Sequence, residues 1–447
     1  MAQVSRHLPR VLHYFDISVL ASASMGPAYS LASTMGPMVA AAGTGAPLAF
    51  LALSAIMLCV AIAFAQLSRV APNAGSSYSW IRMAFGTHVG AYGAWLLLLS
   101  NFFATMAIAV PAGLYTLALV APAHETDPVW AAVVGAVWIV ASSVLLYIGV
   151  RPTALVTFLA LAFELLVLAV TAVAAVVLPH AHHVAAATHT DPAPVPFALG
   201  GFVTAMTLAV WMNDGWEVSA STSEEVDDSA TASGRGGIAG LIVSTIALLA
   251  CMLAYMHLGT IRGFADNQTD TLAYVGTLLG GGWWRVAIVV TVLVSTLTTL
   301  WTTILYLSRS AFAMGRDRLL PRVIGELDRR NEPFWSLAIV AVLVTVCELI
   351  TGFSKTAADQ LQLVLNASSV FLGLLFVLSA FAAVRRFSGE RDMSLKGIVI
   401  PSIGALALLG VLAATIAVED PVLRWYAWAG ILLGIPFALW RGRVLRG

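Results

Sequence analysis

Charge is scarce here: only 10% of the 447 residues are Asp, Glu, Lys or Arg, where a soluble domain carries roughly 25%. A chain that is 60% hydrophobic cannot clothe itself in polar groups, so lipid must be the solvent for most of its exterior. The formal net charge is zero, which points to no electrostatic partner. No basic stripe with interleaved aromatics is present, which argues against a nucleic-acid surface. Cysteine is rare: Cys59, Cys251 and Cys347 each lie inside an apolar run, without metal-ligand spacing, and read as small buried hydrophobes. The buried His–carboxylate pair or metal motif that an enzyme would need is also missing. No catalytic residue, metal or cofactor is therefore expected. No cleavable leader with an A-x-A site is recognisable, and the first apolar run, continuing straight into a second, reads as a retained span.

What is abundant is runs of about 20 apolar residues, the length of one bilayer crossing. Twelve are expected, near 17–42, 48–68, 89–119, 129–150, 152–178, 197–222, 236–260, 285–309, 335–352, 360–384, 398–418 and 423–440. The fold class is thus an all-α integral membrane protein of about 12 transmembrane helices. With the N-terminus inside and the spans alternating, 19 of the 23 basic residues fall on the inner side, as the excess of Lys and Arg in cytoplasmic loops requires. Only Arg262, Arg285, Lys355 and Arg424 fall outside. The expected location is the bacterial inner (plasma) membrane, with both termini cytoplasmic. The Ala- and Pro-rich stretch bearing His180, His182, His183 and His189 falls on the outer side. It reads as a solvated loop rather than a metal site. The segment from Asp266 to Thr277 fits a short surface helix over the outer mouth.

Two of the runs are interrupted. The first contains Ala21-Ser22-Ala23-Ser24-Met25-Gly26-Pro27-Ala28, and the sixth contains Trp211-Met212-Asn213-Asp214-Gly215-Trp216-Glu217. Proline lacks the N–H of the helix ladder, glycine weakens it, and Asn and Asp compete with it. Either break alone could be an ordinary kink. Together they occupy matching positions if spans one to five and six to ten form inverted repeats, and matching interruptions point to a binding site at the bilayer midplane. The half-helix resuming after Gly26 is expected to offer free N–H groups and a positive dipole end to a carboxylate. The break from Trp211 to Asp214 is expected to offer carbonyls to an ammonium group. A molecule carrying both groups a few ångströms apart is an α-amino acid. The expected binding residues are Ser22, Ala23, Ser24, Met25, Gly26, Trp211, Met212, Asn213, Asp214, Gly215 and Trp216.

Three stretches carry a family resemblance over essentially the whole chain. They are Pro72-Asn73-Ala74-Gly75-Ser76-Ser77-Tyr78 with Ala84-Phe85-Gly86; Ser308-Arg309 through Arg316-Asp317-Arg318-Leu319-Leu320-Pro321; and Gly215-Trp216-Glu217 with Glu224-Glu225-Val226. The sequence resembles the amino acid–polyamine–organocation transporters. It departs from them in having one glycine followed by proline at the first break, Ser76 in place of a second glycine, and no proline after Glu224-Glu225-Val226. The resemblance implies a five-plus-five inverted-repeat core over residues 1–384, with discontinuous helices one and six, and a further helix pair over 385–447. It also implies secondary transport of an amino acid or related amine, with protons and membrane lipid as the other partners and no nucleic acid. An exchanger without proton coupling is the alternative. A transporter-like sensor is a further one, expected to carry a soluble signalling domain.

Single residues carry further expectations. Glu164 lies mid-span, where an ionisable group is expensive and by default functional. Its position resembles one where some family members carry a lysine tied to proton coupling, so Glu164 is the candidate proton carrier, with a structural, hydrogen-bonded carboxyl as the alternative. Asp214 is read as a cap of the resumed half-helix, a partner for a cationic substrate group, or a proton site. Glu217 could bond the first break, as a gate or ion site or, alternatively, in a structural role. Thr298 and Thr299 belong to a face with Ser295 and Thr302 that either bonds back to its own carbonyls or approaches the first break to bind an ion or Glu164. Asn101 and Asn366 could line the pocket or bond between helices. Glu348 is expected near the outer end of its span, reaching the interface.

Overall fold

The computed structural model describes residues 8–178, 198–228, 231–268, 270–353, 357–418 and 421–444. The histidine stretch at 180–189, Lys355 and the side chain of Asn366 lie outside the described residues. Within them the regular secondary structure is helical, apart from one isolated parallel β-bridge between Leu12 and Val226.

The first apolar run consists of α1 (Tyr14–Ser24), α2 (Pro27–Ser30), a π-helical turn (Leu31–Met35) and α3 (Gly36–Ala42), and α4 (Ala46–Val70) follows. After α5 (Ser76–Phe85) come the long helices α6 (Thr87–Val120), α7 (Pro128–Ile148) and α8 (Val150–Val177). The sixth run is split into α9 (Leu199–Met212) and α10 (Val218–Ser221). Then follow α11 (Ala232–Leu258), the short pair α12 (Ile261–Asp266) and α13 (Thr271–Leu278), α14 (Trp283–Arg316), α15 (Phe334–Thr351), α16 (Ala357–Phe387), α17 (Ile400–Val418) and α18 (Pro421–Val444). Among the described residues, nine helical runs are long and apolar enough to cross a membrane. The first of them, Tyr14–Val70, has 57 residues, far more than the about 20 of one crossing.

Most boundaries read from the sequence agree to a few residues. The main exception is α14, which continues to Arg316 rather than stopping at 309, because the charge of Arg309 is paired inside the protein and does not mark the helix end. The segment expected to form a single surface helix is divided between two short helices, the end of α12 and most of α13, with Asp270 capping α13 by accepting from the Ala273 N–H at 3.1 Å.

Packing places α6, α14 and the Ser368–Phe387 part of α16 at the centre, where they are the most enclosed of the long helices, while α8 and α15 turn most of their surface outward. Small residues allow close approach where lipid supplies no hydrophobic drive for association. On α11, a Cβ at Gly236 would run into Ile17, and one at Gly240 into Ala21 and Ser22, so α1 lies directly against α11. Both described ends of the chain lie on one face. There the Val11 and Leu12 N–H groups donate to the Glu225 carbonyl at 3.0 Å, Arg316 pairs with Glu224, and Arg441 of α18 donates to the Leu319 carbonyl.

Candidate functional site

At the first break the chain turns through Gly26, whose φ of +52° is left-handed, before Pro27 starts α2. Every N–H of this break is taken. Met25 and Gly26 donate back to the carbonyls of Ser22 (3.2 Å) and Ala23 (3.0 Å), and Pro27 has no donor. Ala28 donates to Glu164 Oε1 at 2.7 Å, and Tyr29 to Ser295 Oγ at 3.1 Å. Ser30 closes onto the Gly26 carbonyl at 2.7 Å. The expected free donors are thus corrected: the side chains of α8 and α14 occupy them. The Ser295 hydroxyl also donates to Glu164 Oε1 at 2.7 Å, so this one carboxyl joins α8, α2 and α14.

At the second break α9 ends on Asn213, whose N–H donates to the carbonyls of Ala209 and Val210 (both 3.2 Å), while Asp214 donates to that of Trp211 at 3.2 Å. Of the carbonyls expected to be free from Trp211 to Asp214, that of Trp211 is therefore used by the closing turn. Gly215, with φ +108°, donates its N–H to Glu217 Oε2 at 3.0 Å. Glu217 thus serves its own break and is not bonded to the first. The two breaks touch: a Cβ on Gly215 would fall on the Ser24 carbonyl, and one on Gly26 would fall on the Thr299 hydroxyl. Replacing Gly215 by alanine therefore meets both backbone strain of about 1–3 kcal/mol and a clash with unyielding backbone. The purified G215A variant is expected to melt at a clearly lower temperature than G200A, since Gly200 faces open space in a helix. Equal midpoints for the two variants would refute this account of the break.

Between the breaks lies a small cavity of about 20 Å³, lined among others by Ser24, Met25, Trp211, Asp214, Gly215, Glu217 and Thr299, with room for about one water molecule. Of the residues expected at the site, these seven line it. The others stand behind. Ser22 Oγ bonds Ser244 Oγ at 2.8 Å, the Ala23 carbonyl accepts from Thr299 at 3.3 Å, and Asn213 Nδ2 donates to the Ala209 carbonyl at 3.0 Å. Met212 is buried, and Trp216 packs against Phe64 and Phe376. Thr298 donates to its own helix at the Ser295 carbonyl (2.7 Å), and so does Thr299 (2.9 Å). Both sequence readings of this face hold in part: back-bonding dominates, while Ser295 and Thr299 also reach across. Asn101 lines the cavity while donating to the Leu97 carbonyl at 3.1 Å.

Sequence reasoning missed Tyr29, Ser30, Ile108 and Tyr306, all on the cavity wall. Tyr29 had a legible signal in Pro111. A proline leaves the carbonyl four residues earlier without its helical donor, and that carbonyl, Ala107, accepts from the Tyr29 hydroxyl at 2.8 Å. So fixed, the Tyr29 ring meets Trp211 edge-on, with centroids 6.3 Å apart. It separates the cavity from a vestibule of about 490 Å³ lined by Tyr115, Glu125, Asp270 and Arg285 among others. Burial raises the Asp270 carboxyl to a pKa of about 6 against the opposing pull of its bond from Ala273.

Toward the face that carries the chain ends, Arg309 is fully buried between two carboxylates. It donates to Glu225 through Nε (3.1 Å) and Nη2 (2.8 Å), and to Glu332 through Nη2 (3.0 Å). Glu348 is corrected: it does not reach an interface but is fully buried, against Gly135 of α7. Among the described residues, no group of three or more His, Cys, Asp or Glu could hold a metal ion.

Comparison with known proteins agrees with this architecture. The family profile described as amino acid permease matches residues 12–435. The chain is 26% identical over 402 residues to the branched-chain amino acid permease BcaP of Lactococcus lactis, covering 84% of this chain and 82% of that one. It is 27% identical over 339 residues to an uncharacterized transporter of Mycobacterium tuberculosis, covering 72% of each. It is 25% identical to an uncharacterized amino acid permease of Bacillus subtilis, covering 74% of each. With the profile running from the bridge at Leu12 into α18, the chain belongs to the amino acid permease family of the amino acid–polyamine–organocation superfamily.

Proposed function

We propose that this protein is a secondary active transporter of an amino acid or related amine, coupled to protons through Glu164. The observation that carries the reading is the contact between two broken helices around one buried cavity, with a buried carboxyl tied to the first break. Irregular backbone at membrane depth is tolerated where it lines a cavity or is buried in protein, and paired interruptions are the expected construction of a midplane substrate site. Twelve crossings, an inverted-repeat core over 1–384 and an added pair over 385–447 accompany this reading. So does insertion in the bacterial inner membrane with both termini cytoplasmic. An even number of crossings is supported by the shared face of the described chain ends. Counterflow uptake in proteoliposomes against a panel of amino acids and amines tests the proposal. Uptake of sugars or nucleosides alone would overturn it.

Asp214 faces the cavity and sets the charge preference in this reading. Asp214→Asn is expected to raise the half-saturating concentration of dicationic substrates about tenfold or more, and that of singly charged ones by less. An equal loss for both would assign Asp214 to the fold of the break.

A further inference from the structure

Whatever substrate is carried, we propose that an anionic phospholipid binds in a groove between α16 and the corner where α5 meets α6, its headgroup at Arg385. The groove, of about 490 Å³, has Phe85 and Val89 on one wall and Leu378 and Phe381 on the other, with Arg385 and Ser388 at its end. Gly86 makes the corner: its φ of +86° ends α5 and turns the chain directly into α6. Phe85 and Val89 flank that turn and stay 38% and 36% exposed. The ion pair of Arg82 with Asp317, the residue that ends α14, puts the corner on the face of the chain ends. That face is the cytoplasmic one in the reading above, so the lipid belongs to the cytoplasmic leaflet.

The charge at the end of an otherwise apolar groove identifies the occupant. Arg385 is exposed and has no side-chain hydrogen bond or ion pair among the described residues. Its neighbour Arg386, by contrast, is held by Glu390 at 2.6 Å. Among the described residues, no acid lines the groove. Beside the same corner, Gly442 of α18 packs on His88, next to Val89. The adjoining Arg441 donates to the carbonyls of Arg318 (3.0 Å) and Leu319 (2.7 Å) and is paired with no acid among the described residues. Two guanidinium charges around this corner thus lack a protein counter-charge. A lipid acyl chain covers the apolar walls, and its phosphate matches the planar fork of Arg385. A zwitterionic headgroup brings its own ammonium and gains less from the arginine. Basic pockets between helices on the cytoplasmic side suit anionic headgroups for this reason.

The test follows thermal unfolding of the purified full-length protein in detergent. Dioleoyl phosphatidylglycerol, dioleoyl phosphatidylcholine and soluble glycerol phosphate are each titrated in. Phosphatidylglycerol is expected to raise the melting temperature at lower concentration than phosphatidylcholine, and glycerol phosphate is expected to have no effect. Arg385→Ala should raise the half-saturating concentration of phosphatidylglycerol about fivefold, the value of one basic residue near an anionic membrane surface. It should leave that of phosphatidylcholine unchanged. Arg235→Ala removes an exposed charge from the start of α11, which does not border the groove, and should change neither. Val89→Trp, at an exposed position, fills the groove and should weaken both lipids. Equal responses to the two lipids, or equal losses in R385A and R235A, would overturn the proposal. Stabilisation by glycerol phosphate matching that by the lipid would replace it with a free-anion site. A changed oligomeric state in V89W with phosphatidylglycerol binding intact would give the groove to a second copy of the chain instead. None of these outcomes bears on the transport reading, which counterflow decides separately.

Discussion

Glu164→Gln is expected to abolish accumulation driven by an inward proton gradient, a loss of more than tenfold, while substrate binding and one-for-one exchange persist. The ionised carboxyl holds the Ala28 N–H and the Ser295 hydroxyl on one oxygen, at 2.7 Å each, and its other oxygen is buried without a hydrogen-bond partner among the described residues. Charge-assisted bonds of this kind are roughly twice as strong as neutral ones. Taking up a proton therefore loosens the hold on the start of α2 and on the hydroxyl face of α14 together. Both border the cavity, so proton occupancy changes the shape of the substrate site. That differential interaction is what coupling requires. Glutamine copies the protonated size without the titration, and so keeps the site while removing its response. Uptake into proteoliposomes with an acidic exterior, compared with no gradient, measures the effect. A variant that still accumulates substrate with an unchanged pH dependence would make Glu164 structural and exchange the better account.

Arg309→Met is expected to be the most destabilising single change on the face of the chain ends. Removing one partner of a buried ion pair costs about 3–5 kcal/mol, because the remaining charges stay buried without compensation. Here two carboxylates, Glu225 and Glu332, would be stranded at once, with Arg309 only 1% exposed and Glu225 fully buried. Burial already pushes the Glu332 carboxyl up to about 7, against the lowering effect of Arg309. The purified variant should aggregate or melt far below the unmodified protein. Adding Glu225→Gln and Glu332→Gln should restore most of the loss, since the stranded charges are then gone. A single variant melting within about two degrees of the unmodified protein would show that the triad contributes little.

The spans were legible because lipid makes hydropathy nearly decisive, and both breaks were legible because Gly26-Pro27 and Asn213-Asp214-Gly215 cannot continue a helix ladder. What failed was the accounting of partners across helices. The free N–H groups expected after Gly26 are filled by Glu164 and Ser295, which lie 136 and 267 residues beyond Ala28. No local pattern announces such pairings. Glu348 failed likewise: its depth along α15 was readable, but the side on which Gly135 leaves room for it was not. Tyr29 stood in between, since Pro111 foretells a free Ala107 carbonyl but not which hydroxyl will take it.

The bridge between Leu12 and Val226 bears on how the molecule can move. It lies just before α1 and just after α10, which belong to the same side of the two breaks. Asp227 adds a 3.1 Å bond back to the Leu12 carbonyl. The left-handed glycines at the other ends of these pieces, Gly26 and Gly215, lie almost back to back across Ser24. Two segments fastened together at one end and touching at the other are mechanically linked, so a displacement of one must either carry the other with it or break the bridge.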